Sequence, residues 1–206
     1  MKGYIKNSIF STKVFIKDNT LSIIFITLFT IGSLVGTLAL NFGKDTSASL
    51  IYLLTTYFKE NASLSVIALF SRNLISALVY LGVMYIGGLC AIGLPVVGII
   101  PLLKGIALGM IISYQYVYNG IKGFLYALVI ILLPQALLLA ILSIAYGEGI
   151  YMSLTVSNGI FNGKPRETKY RLSFMTFSKR YLIFAVGIVI VSIIEAVLDS
   201  VFSKVL

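Results

Sequence analysis

The sequence contains no histidine, only seven acidic residues and a single cysteine among its 206 residues. Without histidine, the chain cannot form the Ser-His or Cys-His pairs of hydrolases, and most zinc sites are excluded as well. The seven acids form no spaced pair that flanks an obvious cleft, so we expect no enzyme, no metal site and no cofactor. The one cysteine, Cys90, cannot form an intramolecular disulfide, and its apolar surroundings predict that it packs as a small apolar residue.

Charged residues are scarce: they make up 11% of the chain, against 59% hydrophobic residues, and the mean hydropathy is +1.02. Soluble domains carry about a quarter of charged residues, so this composition indicates an integral membrane protein. A net charge of +9 would suggest nucleic acid in a soluble protein. Because the basic residues here are concentrated in two segments, we attribute the charge to orientation in the bilayer, and we expect membrane lipids and no nucleic acid as partners.

Five apolar stretches are long enough to cross a bilayer, whose ~30 Å hydrocarbon core requires about 20 helical residues. They are predicted at about 20–42, 72–92, 96–118, 124–146 and 181–203. We therefore predict an all-α fold, a polytopic integral membrane protein with about five transmembrane helices and short interfacial amphipathic helices. The whole chain, 1–206, is expected to form a single transmembrane domain.

Turn signals separate the later spans. Gly93-Leu94-Pro95 predicts a tight connection between the second and third spans, because proline restricts the residue before it and ends helices. The run NGIKG, from Asn119 to Gly123, predicts the turn between the third and fourth spans. A further turn, NGKP at 162–165, is predicted inside the basic segment 147–180.

Two segments outside the spans have amphipathic patterns. Residues 1–18 place Lys2, Lys6, Lys13 and Lys17 on one stripe of a helix. This pattern predicts an interfacial helix with its lysines toward anionic headgroups, or alternatively a basic tail. In the segment 43–71, five apolar residues recur at helical spacing: Leu50, Leu53, Leu54, Tyr57 and Phe58. That run is too short to span a bilayer, so it predicts a helix on the membrane surface.

The distribution of basic residues predicts the orientation. With five spans, the four N-terminal lysines lie on the same side as the six Lys and Arg residues of segment 147–180, and the other side receives five. Positive residues accumulate on the cytoplasmic side of a membrane protein. We therefore predict a cytoplasmic N-terminus and a C-terminus outside the cell.

Several polar residues fall within or beside the predicted spans. Burying such groups in a bilayer is costly, so they are candidates for functional or structural roles. The set comprises Arg72, Asn73, Lys104, Pro134, Gln135, Glu195 and Asp199, together with Gly105 and Gly109 next to the lysine. Pro134 beside Gln135 predicts a freed backbone carbonyl and a polar side chain in one place.

Lys104 lies within a long uncharged run, LPVVGIIPLLKGIALGMIISY. At 1.5 Å per residue, Lys104 and Glu195 differ in depth by about 9 Å, which a lysine side chain and a tilted helix can bridge. We therefore hypothesise a Lys104–Glu195 ion pair inside the bundle. The alternative is that each side chain extends toward its nearer headgroup layer.

Two further patterns concern contacts of the spans. Gly32 and Gly36 form a GxxxG, which predicts ordinary close packing against a neighbouring helix in preference to a dedicated dimer motif. Four tyrosines cluster around the outer end of the third and fourth spans: Tyr114, Tyr116, Tyr118 and Tyr126. This cluster predicts an aromatic belt at the membrane interface, with a docking surface as the alternative.

Two runs carry a resemblance to a known family. They are FSRNLISALVYLGVMYIGGLCAIGLPVVGIIPLLKGIALG, from Phe70, and NGIKGFLYALVIILLPQALLLAILSIAYGEG, from Asn119. Together they resemble the stage II sporulation protein M family, in which an Asn-containing helix entry, a Gly-rich turn, a KG stretch and an LLP-H/Q motif recur in this order. Gln135 stands where many relatives have histidine, and Arg72 stands where many have a second asparagine.

The resemblance implies a multi-pass membrane scaffold without a catalytic site, required for engulfment of the forespore. Such proteins recruit two peptidoglycan-degrading partners, stage II sporulation proteins P and D, to the septum. We expect the Leu50–Phe58 helix and the C-terminal end to contact these partners, and a homo-oligomer is left open. The alternative is a small transporter or permease subunit with Lys104, Gln135 and Glu195 lining a path.

Overall fold

The computed structural model describes residues 20–41, 44–91, 93–161 and 167–202. In these ranges the chain forms α-helices, one π-helical turn and no strand, so the predicted all-α fold is confirmed. The helices are α1 (Thr20–Asn41), α2 (Lys44–Ser63), α3 (Val66–Leu89), α4 (Gly93–Tyr126), α5 (Leu132–Phe161) and α6 (Glu167–Phe202), and the π-helical turn, Ala127–Ile131, joins α4 to α5.

Five helical stretches of the described chain are long and apolar enough to cross a membrane, as the sequence predicts. They are Thr20–Leu40, Val66–Leu89, Gly93–Leu125, Ala127–Ser157 and Phe174–Val201. Helix α2 is not among them, because polar and charged residues are distributed along its length. The described residues therefore form five helices able to span a membrane and one additional helix between the first two.

Gly120 reverses the chain near the end of α4. Its φ of 57° and ψ of −142° are non-helical, and a positive φ of this kind is readily adopted by glycine. The ring centroids of Tyr116 and Phe124 lie 6.4 Å apart, whereas eight residues of straight helix would separate two side chains by about 12 Å. The turn predicted around Gly120 is therefore confirmed.

The connection between α3 and α4 differs from the prediction. Helix α4 begins at Gly93, so Pro95 lies in its first turn. Backbone N–H groups in the first turn have no acceptor within the helix, so proline costs no hydrogen bond there. The chain turns at Cys90, whose N–H donates to the Gly87 carbonyl (3.2 Å). Cys90 is exposed, so the expectation that it packs as an apolar residue is wrong. An apolar run alone did not reveal that the helix ends at Leu89.

The basic segment 147–180 is largely helical. Helix α5 continues past the predicted end of the fourth span to Phe161, and α6 begins at Glu167. Arg180 forms an ion pair with Glu148, which joins the two helices beyond the predicted spans. The turn predicted at 162–165 and the N-terminal segment 1–18 lie outside the described residues.

Helices α1 and α4 run parallel and touch backbone to backbone. Four glycines form this contact, here called the glycine interface: Gly32, Gly36, Gly105 and Gly109. A Cβ atom at any of them would overlap a backbone carbonyl oxygen of the opposite helix. The close-packing role predicted for the GxxxG of α1 is therefore confirmed, and its partner is α4 of the same chain.

The main hydrophobic core lies between α3, α5 and α6. Met84, Leu142 and Ile188, one from each helix, have no exposed surface. At one end of the core, the hydroxyl of Tyr181 donates to the Ala145 carbonyl (2.7 Å), and its ring lies 4.5 Å from that of Phe177. This core and the glycine interface hold the helices around a cavity.

Candidate functional site

A cavity of about 860 Å³ lies between α3, α4, α5 and α6, next to α2. Along α4 it extends from Lys104 to Asn119, which corresponds to about 22 Å of helix. Most of its lining surface is apolar, but many polar side chains also line it: Lys59, Asn61, Arg72, Asn73, Ser76, Tyr80, Lys104, Gln115, Asn119, Gln135, Glu195 and Asp199. We refer to it as the polar cavity. Every polar side chain that the sequence singles out within or beside the spans lines it, together with neighbouring residues that the sequence did not indicate.

The helical period explains how α4 contributes to both the cavity and the glycine interface. Lys104, Leu108 and Ile111 recur at intervals of three and four residues, so they share one face, and they line the cavity. Gly105 and Gly109 lie on the side that contacts α1. Adjacent residues 104 and 105 thus belong to two different environments.

Gln135 is held by the backbone of α5 directly after Pro134. A proline within a helix removes one i→i−4 hydrogen bond and its ring clashes with the preceding turn. The chain adopts the wider π-helical turn Ala127–Ile131 just before it, and such turns are frequent at functional sites. Gln135 is 8% exposed, and it faces the polar cavity.

The partner of Glu195 is Gln135. Gln135 Nε2 donates to Glu195 Oε1 at 2.7 Å. The other amide atom, Gln135 Oε1, is buried and has no hydrogen-bond partner in the part of the chain that the structure describes. Reversing the amide would bring its oxygen against the Glu195 carboxylate, so the observed orientation follows from the charge of that group.

Lys104 faces an aromatic ring in the same cavity. Its Nζ lies 5.0 Å from the ring centroid of Tyr80, which is the geometry of a cation–π contact. Within the described residues the one ion pair with nitrogen and oxygen within 4.0 Å is Arg180–Glu148. The hypothesised direct Lys104–Glu195 ion pair is therefore not formed, although both residues line the polar cavity.

A second carboxylate lies one helical turn beyond Glu195. Asp199 is four residues further along α6, on the same face and about 6 Å away along the axis. Its Oδ2 accepts a hydrogen bond from Asn73 Nδ2 of α3 at 3.3 Å. The two carboxylates of α6 are thus bound by amide groups from two different helices.

Helix α2 closes one end of the polar cavity. Its Asn61 Oδ1 accepts a hydrogen bond from Arg72 Nη1 (2.5 Å), and the Arg72 guanidinium lies 4.1 Å from the ring centroid of Tyr57. The ring of Phe58 stacks on Tyr114, with centroids 5.2 Å apart. Arg72, predicted as a polar residue at the entry of the second span, therefore attaches α2 to α3.

The structure divides the surface that the sequence predicts for partner contact. Leu54, Tyr57 and Phe58 line the polar cavity. Leu53 is 62% exposed, and Leu50 is partly buried. The outward-facing part of α2 is therefore smaller than the amphipathic pattern indicates.

The tyrosines predicted as an aromatic belt also differ in their surroundings. Tyr114 is 7% exposed, and its hydroxyl lies 3.0 Å from that of Thr55 in α2. Tyr116 and Tyr118 are exposed, whereas the side chain of Tyr126 lies outside the described residues. Tyr114 thus belongs to the contact between α2 and α4.

The comparison with protein families assigns the chain. A family model described as stage II sporulation protein M matches residues 22–204. The chain belongs to the stage II sporulation protein M family. No curated protein and no solved structure matches it.

The match covers four of the spans in full, the first span from its third residue onward, and the polar cavity. With five helices able to cross a membrane, this member of the stage II sporulation protein M family is a sporulation-related, multi-pass membrane protein. The run LLPQ of α5 ends at Gln135, which donates to Glu195.

Tyr80 and Asn61 are cavity residues of this stage II sporulation protein M family member that sequence reasoning missed. A signal for Tyr80 exists: Asn73, Ser76 and Tyr80 recur at helical spacing in α3, so they share one face with Arg72 nearby. Asn61 had no such signal, because its role depends on how α2 folds back toward α3. Among the described residues, no group of three or more His, Cys, Asp or Glu side chains could hold a metal ion.

Proposed function

We propose that this protein is a non-enzymatic membrane scaffold that recruits peptidoglycan-degrading partners during forespore engulfment. The partners are stage II sporulation proteins P and D, and the place is the sporulation septum and the engulfing membrane. The family match over residues 22–204 and the five spanning helices support this proposal. In this arrangement the chain anchors its partners at the membrane, and the partners cut the cell wall.

The position of α2 is the observation that carries the scaffold proposal. One face of this helix is fixed to the bundle by the stacking of Phe58 on Tyr114 and by Arg72. The other face leaves Tyr52 and Leu53 72% and 62% exposed. Adjacent apolar side chains exposed on a fixed helix are suited to binding another protein.

The double variant Tyr52→Ser with Leu53→Ser tests this surface. The variant and the unchanged protein would be captured from sporulating cells, and stage II sporulation proteins P and D would be measured by mass spectrometry. We expect the double variant to lose both partners while its amount in the membrane stays the same. Glu60→Ser, also exposed on α2, is the matched control and should retain them. Undiminished capture by the double variant would reject α2 as the docking surface.

The proposed orientation, with a cytoplasmic N-terminus and an outside C-terminus, can be tested through Cys90. This single cysteine is exposed at the turn between α3 and α4, which is cytoplasmic in the proposal. A membrane-impermeant maleimide should label it only after the cells are permeabilised. Helix α2 lies outside the cell in the proposal. A Cys90→Ser variant that carries Ser49→Cys, at an exposed position of α2, should therefore be labelled in intact cells. The reverse pattern would invert the orientation.

A small transporter or permease subunit is the second candidate. The observation that favours it is the polar cavity, because Lys104, Gln135 and Glu195 line one space beside a π-helical turn. Transporters commonly place their binding sites near the middle of the membrane, at interrupted helices. Solute flux into liposomes containing the purified protein would support this candidate. Normal engulfment in cells that lack the gene would weaken the scaffold proposal.

A further inference from the structure

The polar cavity contains hydrogen-bond acceptors that its own donors do not satisfy. Gln135 Oε1 is buried without a partner in the described chain, on a side chain that is 8% exposed. A buried acceptor without a partner is costly, by about 1–3 kcal/mol, so such groups are normally paired. A bound molecule that donates a hydrogen bond would satisfy it.

Two carboxylates line the cavity with Gln135. Glu195 and Asp199 each accept one amide hydrogen bond, at a single oxygen, from Gln135 and Asn73 respectively. An ionised carboxylate can accept about four hydrogen bonds, so both groups retain acceptor capacity. The part of the cavity around Gln135, Glu195 and Asp199 therefore favours a ligand group with several N–H donors and a positive charge.

The cavity also contains a cation without a carboxylate in direct contact. Lys104 faces the Tyr80 ring and forms no ion pair within 4.0 Å among the described residues. Arg72, the other cation from a spanning helix, is already bound to Asn61 and Tyr57 of α2. Lys59, which also lines the cavity, lies on α2, so Lys104 is the lysine of a spanning helix that could receive an anionic group at the deep end of the cavity.

We propose that the polar cavity binds a small zwitterionic group, whose primary ammonium donates to Gln135 Oε1, Glu195 and Asp199 and whose anionic group contacts Lys104. A primary ammonium carries three N–H donors, which matches three acceptor groups. The cavity volume of about 860 Å³ falls within the range of ligand sites, about 300–1,000 Å³. This proposal is independent of the scaffold role, because binding is measured on the isolated protein.

Two kinds of molecule could carry this zwitterionic group into the cavity. One is the headgroup of an aminophospholipid, in which an ammonium and a phosphate are joined by a short linker. The other is a free water-soluble zwitterion that enters past α2. Lys104 lies about 22 Å along α4 from Asn119, which is at the end of the cavity near α2, so either source must reach well inside the bundle.

The first test compares two soluble probes. Full-length protein in phosphatidylcholine nanodiscs would be titrated calorimetrically with phosphoethanolamine and with phosphocholine. The two probes differ in that phosphocholine has three methyl groups in place of the N–H donors. A site built on hydrogen bonds strongly rejects a ligand that lacks the donor, so we expect at least about tenfold tighter binding of phosphoethanolamine. Equal affinity for both probes would overturn the proposal.

Variants then locate the binding. Gln135→Leu should weaken phosphoethanolamine binding by about tenfold or more, because one hydrogen bond to a charged group is lost. Lys104→Met should weaken it through the anionic group, and Glu195→Gln serves as a shape-preserving second variant at the ammonium end. Arg180 lies outside the cavity, so Arg180→Gln is the control and should leave the affinity unchanged. Circular dichroism confirms that each variant remains folded, and unchanged affinity in all three cavity variants would overturn the site.

A lipid-binding experiment then shows whether the ligand is a lipid headgroup or a free zwitterion. The protein would be reconstituted in nanodiscs with equal phosphatidylethanolamine and phosphatidylcholine and then ejected for native mass spectrometry. Selective retention of phosphatidylethanolamine, lost in Gln135→Leu, identifies the lipid headgroup as the ligand. Binding of soluble phosphoethanolamine without lipid retention identifies a free zwitterion. If neither probe binds in either arm, Gln135 Oε1 is satisfied by water only and the proposal is wrong.

Discussion

The two faces of α4 show two ways in which a membrane helix uses its neighbours. On one face, Gly105 and Gly109 bring its backbone directly against α1. On the other, Lys104, Leu108 and Ile111 line the polar cavity. The first face has almost no side chain between the helices, and the second is separated from its neighbours by a space of about 860 Å³.

This difference indicates which contacts hold the bundle together. Apolar burial gives little net driving force between helices in lipid, so association depends on close packing and on interhelical hydrogen bonds. The glycine interface supplies close packing. The Thr37 hydroxyl of α1 donates to the Ser33 carbonyl of its own helix (2.9 Å) and also lies 3.4 Å from the Gly109 carbonyl of α4. The polar cavity supplies fewer direct contacts between α4 and its other neighbours.

The largest expected effect comes from adding one methyl group at the glycine interface. Gly105→Ala would place a Cβ atom against the Phe29 carbonyl oxygen, a backbone atom that cannot rotate away. The two helices must then separate, and we expect a loss of about 1–3 kcal/mol in the free energy of unfolding. Denaturant titration of the purified protein, followed by circular dichroism, measures this change.

Gly98→Ala is the matched control for that substitution. Gly98 lies on the same helix, and nothing lies within 4 Å of an added Cβ atom. Alanine favours helix more than glycine does, so stability should stay the same or rise by up to about 1 kcal/mol. Equal losses at positions 98 and 105 would show that the glycine interface has no special role.

Sequence reasoning predicted the spans well because hydropathy and length depend on local composition. The five spans and the turn at Gly120 are of this kind. The end of α3 at Leu89 was missed, because the chain remains apolar through Cys90 and carries no polar signal there. The extension of α5 to Phe161 was missed for the opposite reason, since a polar segment can continue a helix beyond the membrane.

The contacts within the polar cavity could be predicted only in part. Sequence gives the depth of Lys104 and Glu195 along their helices, but it does not give the rotation of each helix about its axis. Rotation decides which neighbour a side chain meets, and here it brings Gln135 to Glu195 and Tyr80 to Lys104. The predicted set of residues therefore shares one cavity, although the predicted ion pair is not formed.

An intermediate effect is expected where α2 meets the cavity. Tyr114→Phe removes the hydroxyl that lies 3.0 Å from Thr55 and keeps the ring that stacks on Phe58. A hydrogen bond of this kind contributes about 0.5–1.5 kcal/mol, and we expect unfolding stability to fall by about 1 kcal/mol. Tyr116→Phe, which alters an exposed residue of the same helix, should have no measurable effect. A comparable loss from Tyr116→Phe would mean that the contact with α2 does not explain the result.

The smallest effect on unfolding stability is expected at Lys104, next to Gly105, where we expect the largest. Lys104→Met keeps an unbranched chain of similar length, removes a charge from the interior and loses one cation–π contact with Tyr80. These changes oppose each other, because such a contact contributes about 0.5–2 kcal/mol while desolvating the ammonium costs free energy. We expect the unfolding free energy to change by no more than about 0.5 kcal/mol in the same denaturant titration. A loss above about 2 kcal/mol would instead indicate a structural charge pair with Glu195, because removing one partner of a buried pair leaves the other uncompensated. Residues 104 and 105 would then both hold the bundle, and the contrast between the two faces of α4 would fail.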